Sequence, residues 1–186
     1  GQKLHKQNVF DDFHAAALAL IDTHWTDRAH LGILGGSNGG LLMGTQIVQH
    51  PADYRAVVAR VGIYDMLRHE TDFANGPYNI PEYGSIADPA QFKATLAYSP
   101  LQNVTPHAAY PAVLMTTGEN DPRVAPWQSR KFTAALQNAT SSPQPILLLT
   151  RMHAGHGIGA PFSQRVGDTA IGLTFFAHEL GLDTSK

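Results

Sequence analysis

Cysteine is absent from the 186-residue sequence. Its absence excludes disulfide bonds, cysteine-ligated zinc or iron–sulfur sites and a thiol nucleophile. Charged residues are also few, at 15% of the chain, and the 13 basic residues nearly balance the 15 acidic ones. No basic segment stands out, which argues against a dedicated nucleic-acid-binding protein.

Long hydrophobic runs are missing as well. No stretch approaches the roughly 18 apolar residues needed to span a bilayer, and the N-terminus does not resemble a signal peptide. We therefore expect a soluble, cytoplasmic protein with no membrane partner. The length fits one domain, residues 1–186, or part of one. Because the sequence begins at Gly1 rather than Met, we expect a processed chain or a fragment of a longer protein.

The sequence alternates short apolar runs with amphipathic segments. The apolar runs predict four buried β-strands, at residues 31–34, 54–62, 112–117 and 146–150. Apolar spacings of three and four predict helices at residues 9–21, 41–49, 90–97, 127–136 and 164–180, and Gly181 is the expected C-cap of the last. This alternation indicates an α/β fold with a parallel sheet flanked by helices. Prolines interrupt residues 64–111, which we interpret as an excursion over the carboxyl edge of the sheet.

Residues 35–39, with the sequence GGSNG, match the G-x-S-x-G pattern of a nucleophile elbow. The pattern lies between a predicted strand and a predicted helix, which is the context that the motif requires. Glycines on either side of Ser37 leave room for a sharp turn that holds the hydroxyl out above the sheet. A glycine-rich turn or an anion-binding loop is the alternative, since short patterns also arise by chance.

Two further residues follow in the order in which α/β-hydrolases supply a catalytic triad, namely Ser, Asp or Glu, then His. Asp121 comes just after the third predicted strand, and His156 just after the fourth. Open α/β sheets carry their sites at the carboxyl ends of strands, so these residues are candidates for the acid and the base. Glu119 is the rival acid and His153 the rival base. The His153–His156 pair has no third ligand in a legible pattern, so we expect no metal site.

Four segments resemble the catalytic domain of the prolyl oligopeptidase family of serine peptidases: NVFDDF at residues 8–13, GGSNGGLL at 35–42, ENDPRV at 119–124 and AGHG at 154–157. The resemblance extends over essentially the whole chain. It implies that Ser37 is the nucleophile, Asp121 the acid and His156 the base. It also implies that the backbone N–H of Asn38 donates to the oxyanion and that Arg123 binds a substrate carbonyl.

The chain departs from the family in three ways. Family members carry a β-propeller and further strands before the nucleophile, together with a tyrosine that serves as a second oxyanion donor; here only 36 residues precede Ser37. The resemblance therefore implies an α/β-hydrolase-type sheet truncated on its N-terminal side. Where the family usually has a tryptophan against the substrate proline, this chain offers Tyr78 or Asn79, and Tyr78 is the candidate substrate-binding residue. Pro122 replaces a usual acidic residue.

We therefore predict a serine hydrolase that cleaves peptide or ester bonds through an acyl-enzyme, with no cofactor. A short peptide or a small ester is the expected substrate. The alternatives are a carboxylesterase that acts on small esters and an inactive fragment or interaction module that retains the triad residues. In the family fold the nucleophile strand is central. If the chain begins at Gly1, residues 31–34 form an exposed edge of the sheet, from which we expect a homo-oligomer.

Overall fold

Four parallel strands form one sheet in the computed structural model, which describes residues 1–71, 76–157 and 160–182. The strands lie side by side in chain order: β1 (Gly32–Gly36), β2 (Ala56–Arg60), β3 (Ala112–Gly118) and β4 (Ile146–Arg151). In register, Ile33 lies opposite Val57, and Val57 lies opposite Val113. The predicted α/β fold with a parallel sheet is confirmed.

In the described part of the chain, six α-helices accompany the sheet: α1 (Gln7–Asp22), α2 (Asn38–Gln49), α3 (Gly76–Tyr83), α4 (Pro89–Tyr98), α5 (Pro126–Ala139) and α6 (Phe162–Glu179). Alternate strand residues face opposite sides, as the period of two requires. One face, which includes Val57 and Val113, packs with α1, α2 and α5. The other face, which includes Val58 and Leu114, packs against α6 through Phe175. The two central strands, β2 and β3, are therefore buried on both faces, which explains their continuous apolar runs.

The segment between β2 and β3 contains α3, which the sequence analysis did not predict as a defined helix. Pro81 lies inside α3 and has no N–H to donate, so the sequence reads there as a break. The predicted helix at 90–97 is confirmed as α4, and the Asp88 side chain caps it by accepting from the N–H groups of Ala90 and Gln91 at 2.9 Å.

This segment packs on residues that follow the carboxyl ends of β2 and β3. Tyr83 and Tyr98 belong to a buried cluster with Ile63, which follows β2, and Val124, which follows β3. The segment therefore lies over the end of the sheet where the predicted site residues lie, as expected.

Helix α6 ends at Glu179, and the glycine predicted to cap it follows two residues later. Gly181 has a φ of +71°, and its N–H donates to the carbonyl of His178. The N–H of Leu182 reaches back to the carbonyl of Ala177, which completes a Schellman motif. Within the described ranges, no helix combines the length and the apolar character that a bilayer crossing requires.

Strand β1, which leads into Ser37, lies at one edge of the sheet. Among the described residues it pairs with β2 alone, and the side chain of Leu34 is 49% exposed. The structure thus places the strand as the sequence analysis expected. The expected association of two or more copies through this edge stays a prediction.

Candidate active site

Ser37 occupies the sharp turn between β1 and α2. Its backbone has a φ of 57° and a ψ of −118°, a conformation that an L-residue adopts only under constraint. The turn is so tight that a Cβ on Gly35 would lie 2.3 Å from the carbonyl oxygen of Gly39. The N–H of Ser37 donates to the carbonyl of Arg60 at 2.9 Å, which anchors the turn to β2. This is the geometry of a nucleophile elbow.

Asp121 lies in the turn that follows β3. Asp121 is only 4% exposed. One carboxylate oxygen, Oδ1, accepts hydrogen bonds from the backbone N–H groups of Arg123 and Val124, both at 2.9 Å. These two bonds fix the carboxylate plane and satisfy half of its acceptor capacity. The other oxygen, Oδ2, remains to accept from a side chain.

His156 lies in the loop after β4 and joins the other two residues. Its Nδ1 lies 2.7 Å from Asp121 Oδ2, and its Nε2 lies 2.9 Å from Ser37 Oγ. Asp121, rather than its rival Glu119, thus contacts the histidine, and His156 rather than the exposed His153 reaches the serine. Three side chains from three strand ends, separated by up to 119 positions, form one hydrogen-bonded line.

The hydrogen-bond partners assign the proton on the imidazole. An ionised Asp121 only accepts, so the Nδ1 of His156 carries the hydrogen and donates it. The Nε2 lone pair then faces the Ser37 hydroxyl, which donates to it. This tautomer is the one that a general base needs in order to take the serine proton.

Asn38 begins α2 directly after Ser37. The first four N–H groups of a helix have no partner within the helix, and the positive end of the helix dipole lies there. The Asn38 N–H is therefore suited to stabilise negative charge that develops next to Ser37. The Asn38 side chain accepts from Tyr83 Oη at 3.2 Å and donates to Glu82 Oε1 at 3.5 Å.

A cavity of about 550 Å³ opens beside Ser37 on the side of α3. It brings together both predicted substrate-binding residues, Tyr78 and Arg123, with the serine. The Tyr78 side chain is not packed into the core; the residue is 80% exposed. Three further residues line this cavity and were not predicted from the sequence as site residues: Ile63, Tyr83 and Val124. Of these, Val124 directly follows Arg123 in the sequence, and that position could have indicated it.

A second cavity of about 550 Å³ lies on the side of α6. It also reaches Ser37 and His156, and Arg123 borders both cavities. Its far wall includes the ion pair between Arg151 and Asp168, at 2.6 Å. The candidate nucleophile therefore lies between two spaces, one of which can hold the acyl part of a substrate and the other the leaving group.

A group of potential metal ligands lies away from the triad, around the end of α2. The donor atoms of His14, His50 and Asp53 lie within 4.8 Å of one another. However, both carboxylate oxygens of Asp53 are already bonded, one to Arg28 Nε at 2.6 Å and the other to His14 Nε2 at 2.9 Å. The two imidazole rings are stacked at 3.5 Å and nearly parallel, so their lone pairs do not converge on one point. The expectation that the protein has no metal site stays a prediction.

Comparison with known proteins agrees with this geometry. The prolyl oligopeptidase family matches residues 1–183. The prolyl endopeptidase of Dictyostelium discoideum is 38% identical over 185 residues, which are 98% of this chain and 24% of that protein. The dual function macrocyclase-peptidase POPB of Galerina marginata is 38% identical over 186 residues and is covered to 25%. The chain thus spans about a quarter of the length of these curated relatives.

Solved structures show the same likeness. Prolyl oligopeptidase B from Galerina marginata, bound to a 35mer hydrolysis and macrocyclization substrate, superposes with a TM-score of 0.93 at 36% identity, over 98% of this chain and 26% of that one. Oligopeptidase B from Leishmania major gives a TM-score of 0.92 at 30% identity, over 97% and 25%. With the family match over residues 1–183, these similarities show that the chain belongs to the prolyl oligopeptidase family.

Proposed function

We propose that this chain carries the catalytic site of a serine peptidase, and that residues 1–186 form one partial α/β-hydrolase catalytic domain. The observation that carries the proposal is the hydrogen-bonded line from Asp121 through His156 to Ser37, with contacts of 2.7 and 2.9 Å. The line starts in a buried carboxylate and ends on a hydroxyl that borders two cavities. Such an arrangement suits nucleophilic attack on a carbonyl.

In each half of the proposed mechanism, His156 first accepts a proton and then gives it up. Ser37 Oγ attacks the substrate carbonyl while His156 Nε2 takes the hydroxyl proton, and Asp121 stabilises the resulting imidazolium. The carbonyl oxygen becomes an oxyanion beside the Asn38 N–H. His156 then gives its proton to the leaving amine, and an acyl-enzyme remains. Water enters, gives a proton to His156 and attacks the acyl ester. His156 then returns that proton to Ser37 Oγ as the bond between Oγ and the acyl carbon breaks, which restores Ser37 and releases the acid.

The α3-side cavity supports a peptide substrate with a compact apolar residue before the scissile bond. Its walls combine the apolar side chains of Ile63 and Val124 with the aromatic rings of Tyr78 and Tyr83. Arg123 stands at the same cavity and offers up to five N–H donors to substrate carbonyls. Relatives that the chain matches are named prolyl endopeptidases, so proline is the first residue to test in this position.

The proposal is tested by comparing two substrates that share one acyl group. We would assay a blocked glycyl-prolyl p-nitroanilide and the corresponding p-nitrophenyl ester with the wild-type chain and with Ser37→Ala. Ser141→Ala is the matched control, because Ser141 is exposed and lies in the turn that leads into the amino end of β4, away from the triad. The proposal expects cleavage of both substrates by the wild-type and control proteins, and none by Ser37→Ala.

The other outcomes separate the alternatives. Turnover of the ester without the anilide identifies a carboxylesterase, because an amide is the harder substrate and demands fuller stabilisation of the oxyanion. Turnover of neither substrate identifies a chain that holds the triad residues without catalysis. Activity that persists in Ser37→Ala contradicts the assignment of the nucleophile.

A further inference from the structure

Lys6 is an unusual residue because it is charged and yet only 2% exposed. It immediately precedes α1, and its Nζ lies 2.5 Å from Glu82 Oε1, at the far end of α3. The ammonium group also faces the rings of Phe10 and Tyr83, with distances to their centroids of 6.0 and 5.5 Å. A buried charge is costly unless it is paired, so this contact holds Glu82 in one place.

The fixed carboxylate reaches the residue that follows the nucleophile. Glu82 Oε1 accepts from Asn38 Nδ2 at 3.5 Å, while the hydroxyl of Tyr83 donates to Asn38 Oδ1 at 3.2 Å. Both ends of the Asn38 amide are therefore defined by neighbours on α3. The hydrogen bond from Lys6 lowers the pKa of Glu82, which keeps this acceptor ionised.

The peptide that links Ser37 to Asn38 needs such support. Its N–H is the candidate oxyanion donor, and the strained backbone of Ser37 aims it. On the Ser37 side, bonds to Arg60 and Leu41 hold the turn. On the Asn38 side, the bonds through its side chain are the ones that reach α3. We propose that Glu82, held by Lys6, is a positioning residue that fixes the oxyanion donor at Asn38.

The inference rests on the proposed function, and it adds a role for α3. The same helix carries Tyr78 and Asn79 of the cavity and Glu82 of the Asn38 contact. A substrate residue seated against α3 would therefore meet an oxyanion donor whose position depends on that helix. The pair of buried Lys6 and half-buried Glu82 thus connects three elements: the start of α1, α3 and the turn at Ser37.

A pair of double variants tests the hydrogen bond apart from the charges. Lys6→Met with Glu82→Gln replaces the ion pair by neutral groups of similar size, and the Gln carbonyl still accepts from Asn38. Lys6→Met with Glu82→Ala removes the same charges and also the acceptor. Neither variant leaves a buried unpaired charge, which is the change that most destabilises such sites. Circular dichroism and the unfolding midpoint in urea confirm that both proteins are folded.

The readout compares a tetrahedral adduct with a ground-state ligand. Ser37 Oγ adds to the carbonyl carbon of a peptide aldehyde. The electron pair of the carbonyl π bond moves to the oxygen, which becomes the oxyanion, and His156 takes the serine proton. The corresponding peptide alcohol binds without forming that bond. We expect the variant with Ala to lose about tenfold in aldehyde affinity and in kcat, part of the roughly 10²–10³ that complete loss of such a donor costs. The variant with Gln should recover most of it, with alcohol binding and KM unchanged.

Lys131→Met is the matched control, because it removes a lysine–carboxylate contact of 2.9 Å, with Asp65, that does not involve Asn38. Equal aldehyde affinities in the two double variants, or equal losses for the aldehyde and the alcohol, overturn the positioning role while the proposed function stands. A wild-type protein that forms no adduct with the aldehyde overturns the proposed function, and this inference with it.

Discussion

Gly118 packs directly against the backbone of Gly155. A Cβ on Gly118 would lie 2.3 Å from the carbonyl oxygen of Gly155, well inside any contact that a real side chain makes. Gly118 ends β3 just before the turn of Asp121, and Gly155 directly precedes His156. The missing side chain therefore lets the loop of the acid and the loop of the base approach each other closely enough for their 2.7 Å hydrogen bond.

A Gly118→Ala substitution tests this relationship. The added methyl group would collide with backbone atoms of Ala154 and Gly155. Backbone atoms cannot move aside as a flexible side chain would. We expect kcat/KM to fall at least 100-fold, because a displacement of about 1 Å at a catalytic group costs this much. We also expect a loss of about 1–3 kcal/mol in the free energy of unfolding, as overpacking of a filled site typically costs.

Gly167→Ala serves as the control for Gly118→Ala. Gly167 lies within α6, and no atom within 4 Å meets a Cβ built on it. Since alanine favours a helix over glycine, this variant should gain about 0.5–1 kcal/mol of stability and keep its activity. Similar losses in the two variants, by urea unfolding and peptide cleavage, would contradict the role given to the Gly118 contact.

Asp121→Asn is expected to abolish most activity while it preserves the fold. The Asn carbonyl oxygen can still accept the N–H groups of Arg123 and Val124, which leaves the NH₂ group facing His156 Nδ1. His156 Nδ1 must then accept a hydrogen bond from that NH₂ group, so the ring proton moves to Nε2. The imidazole can then no longer accept the Ser37 proton. The equivalent change in a serine protease lowers kcat by about 10⁴, and we expect a similar loss here. A variant that retains a tenth of the wild-type kcat would contradict this assignment of the tautomer.

Arg123 gives a prediction about substrate binding. Its side chain is exposed at both cavities, so it is free to donate to a substrate carbonyl. A hydrogen bond from a charged group contributes about 1.5–3 kcal/mol, so Arg123→Ala should lower kcat/KM for a peptide by roughly 10–100-fold. Arg123→Lys should recover only part of the loss, because one ammonium group does not replace a planar fork of donors. Arg130→Ala, at an exposed position of α5, is the control and should have no effect.

Asp65 provides a prediction for the dependence of stability on pH. Its side chain is 1% exposed and accepts from Lys131, Gln102 and Arg68 at 2.7–2.9 Å. Burial alone would raise its pKa, but these hydrogen bonds outweigh burial and lower the pKa below the ordinary 3.8. A carboxyl with a lowered pKa stabilises the folded state above its ordinary pKa, and this stabilisation is lost as the pH falls through the folded value.

Asp65→Asn should therefore lower the free energy of unfolding by about 2 kcal/mol at pH 7, the contribution of hydrogen bonds to a charged group. The difference between variant and wild type should shrink as the pH falls below 4. Urea unfolding from pH 7 to pH 3 measures it, with Asp12→Asn, at an exposed position of α1, as the control. A difference that is constant over this range would show that Asp65 does not act through its charge.

The sheet and the meeting of Ser37, Asp121 and His156 could be predicted because their signals are local or follow from general topology. A strand buried on both faces needs a continuous apolar run such as residues 56–59, and the turn of Ser37 needs small neighbours at fixed positions. The post-strand positions of Asp121 and His156 then follow from the rule that parallel strands end at one edge. These features depend on residues that are close together in sequence or on general rules of topology.

The features that were missed depend on contacts between distant segments. Helix α3 contains Pro81, so its helical state follows from its packing rather than from its sequence. The Lys6–Glu82 pair joins residues 76 positions apart, and neither residue belongs to a recognisable pattern. The stacking of His14 on His50 likewise depends on how α1 lies against α2. Such contacts leave no periodic pattern of residues in the sequence, because only the tertiary structure brings the partners together.

The proposed mechanism depends on the activation of Ser37 by His156. Its most direct test is to treat the wild-type chain with an organophosphonate probe and to locate the adduct by mass spectrometry of proteolytic peptides. We expect one adduct per chain, on Ser37, in the wild type and in Ser141→Ala, and none in Ser37→Ala or His156→Ala. An adduct on another residue, or undiminished labelling when Ser37 is replaced, would contradict it.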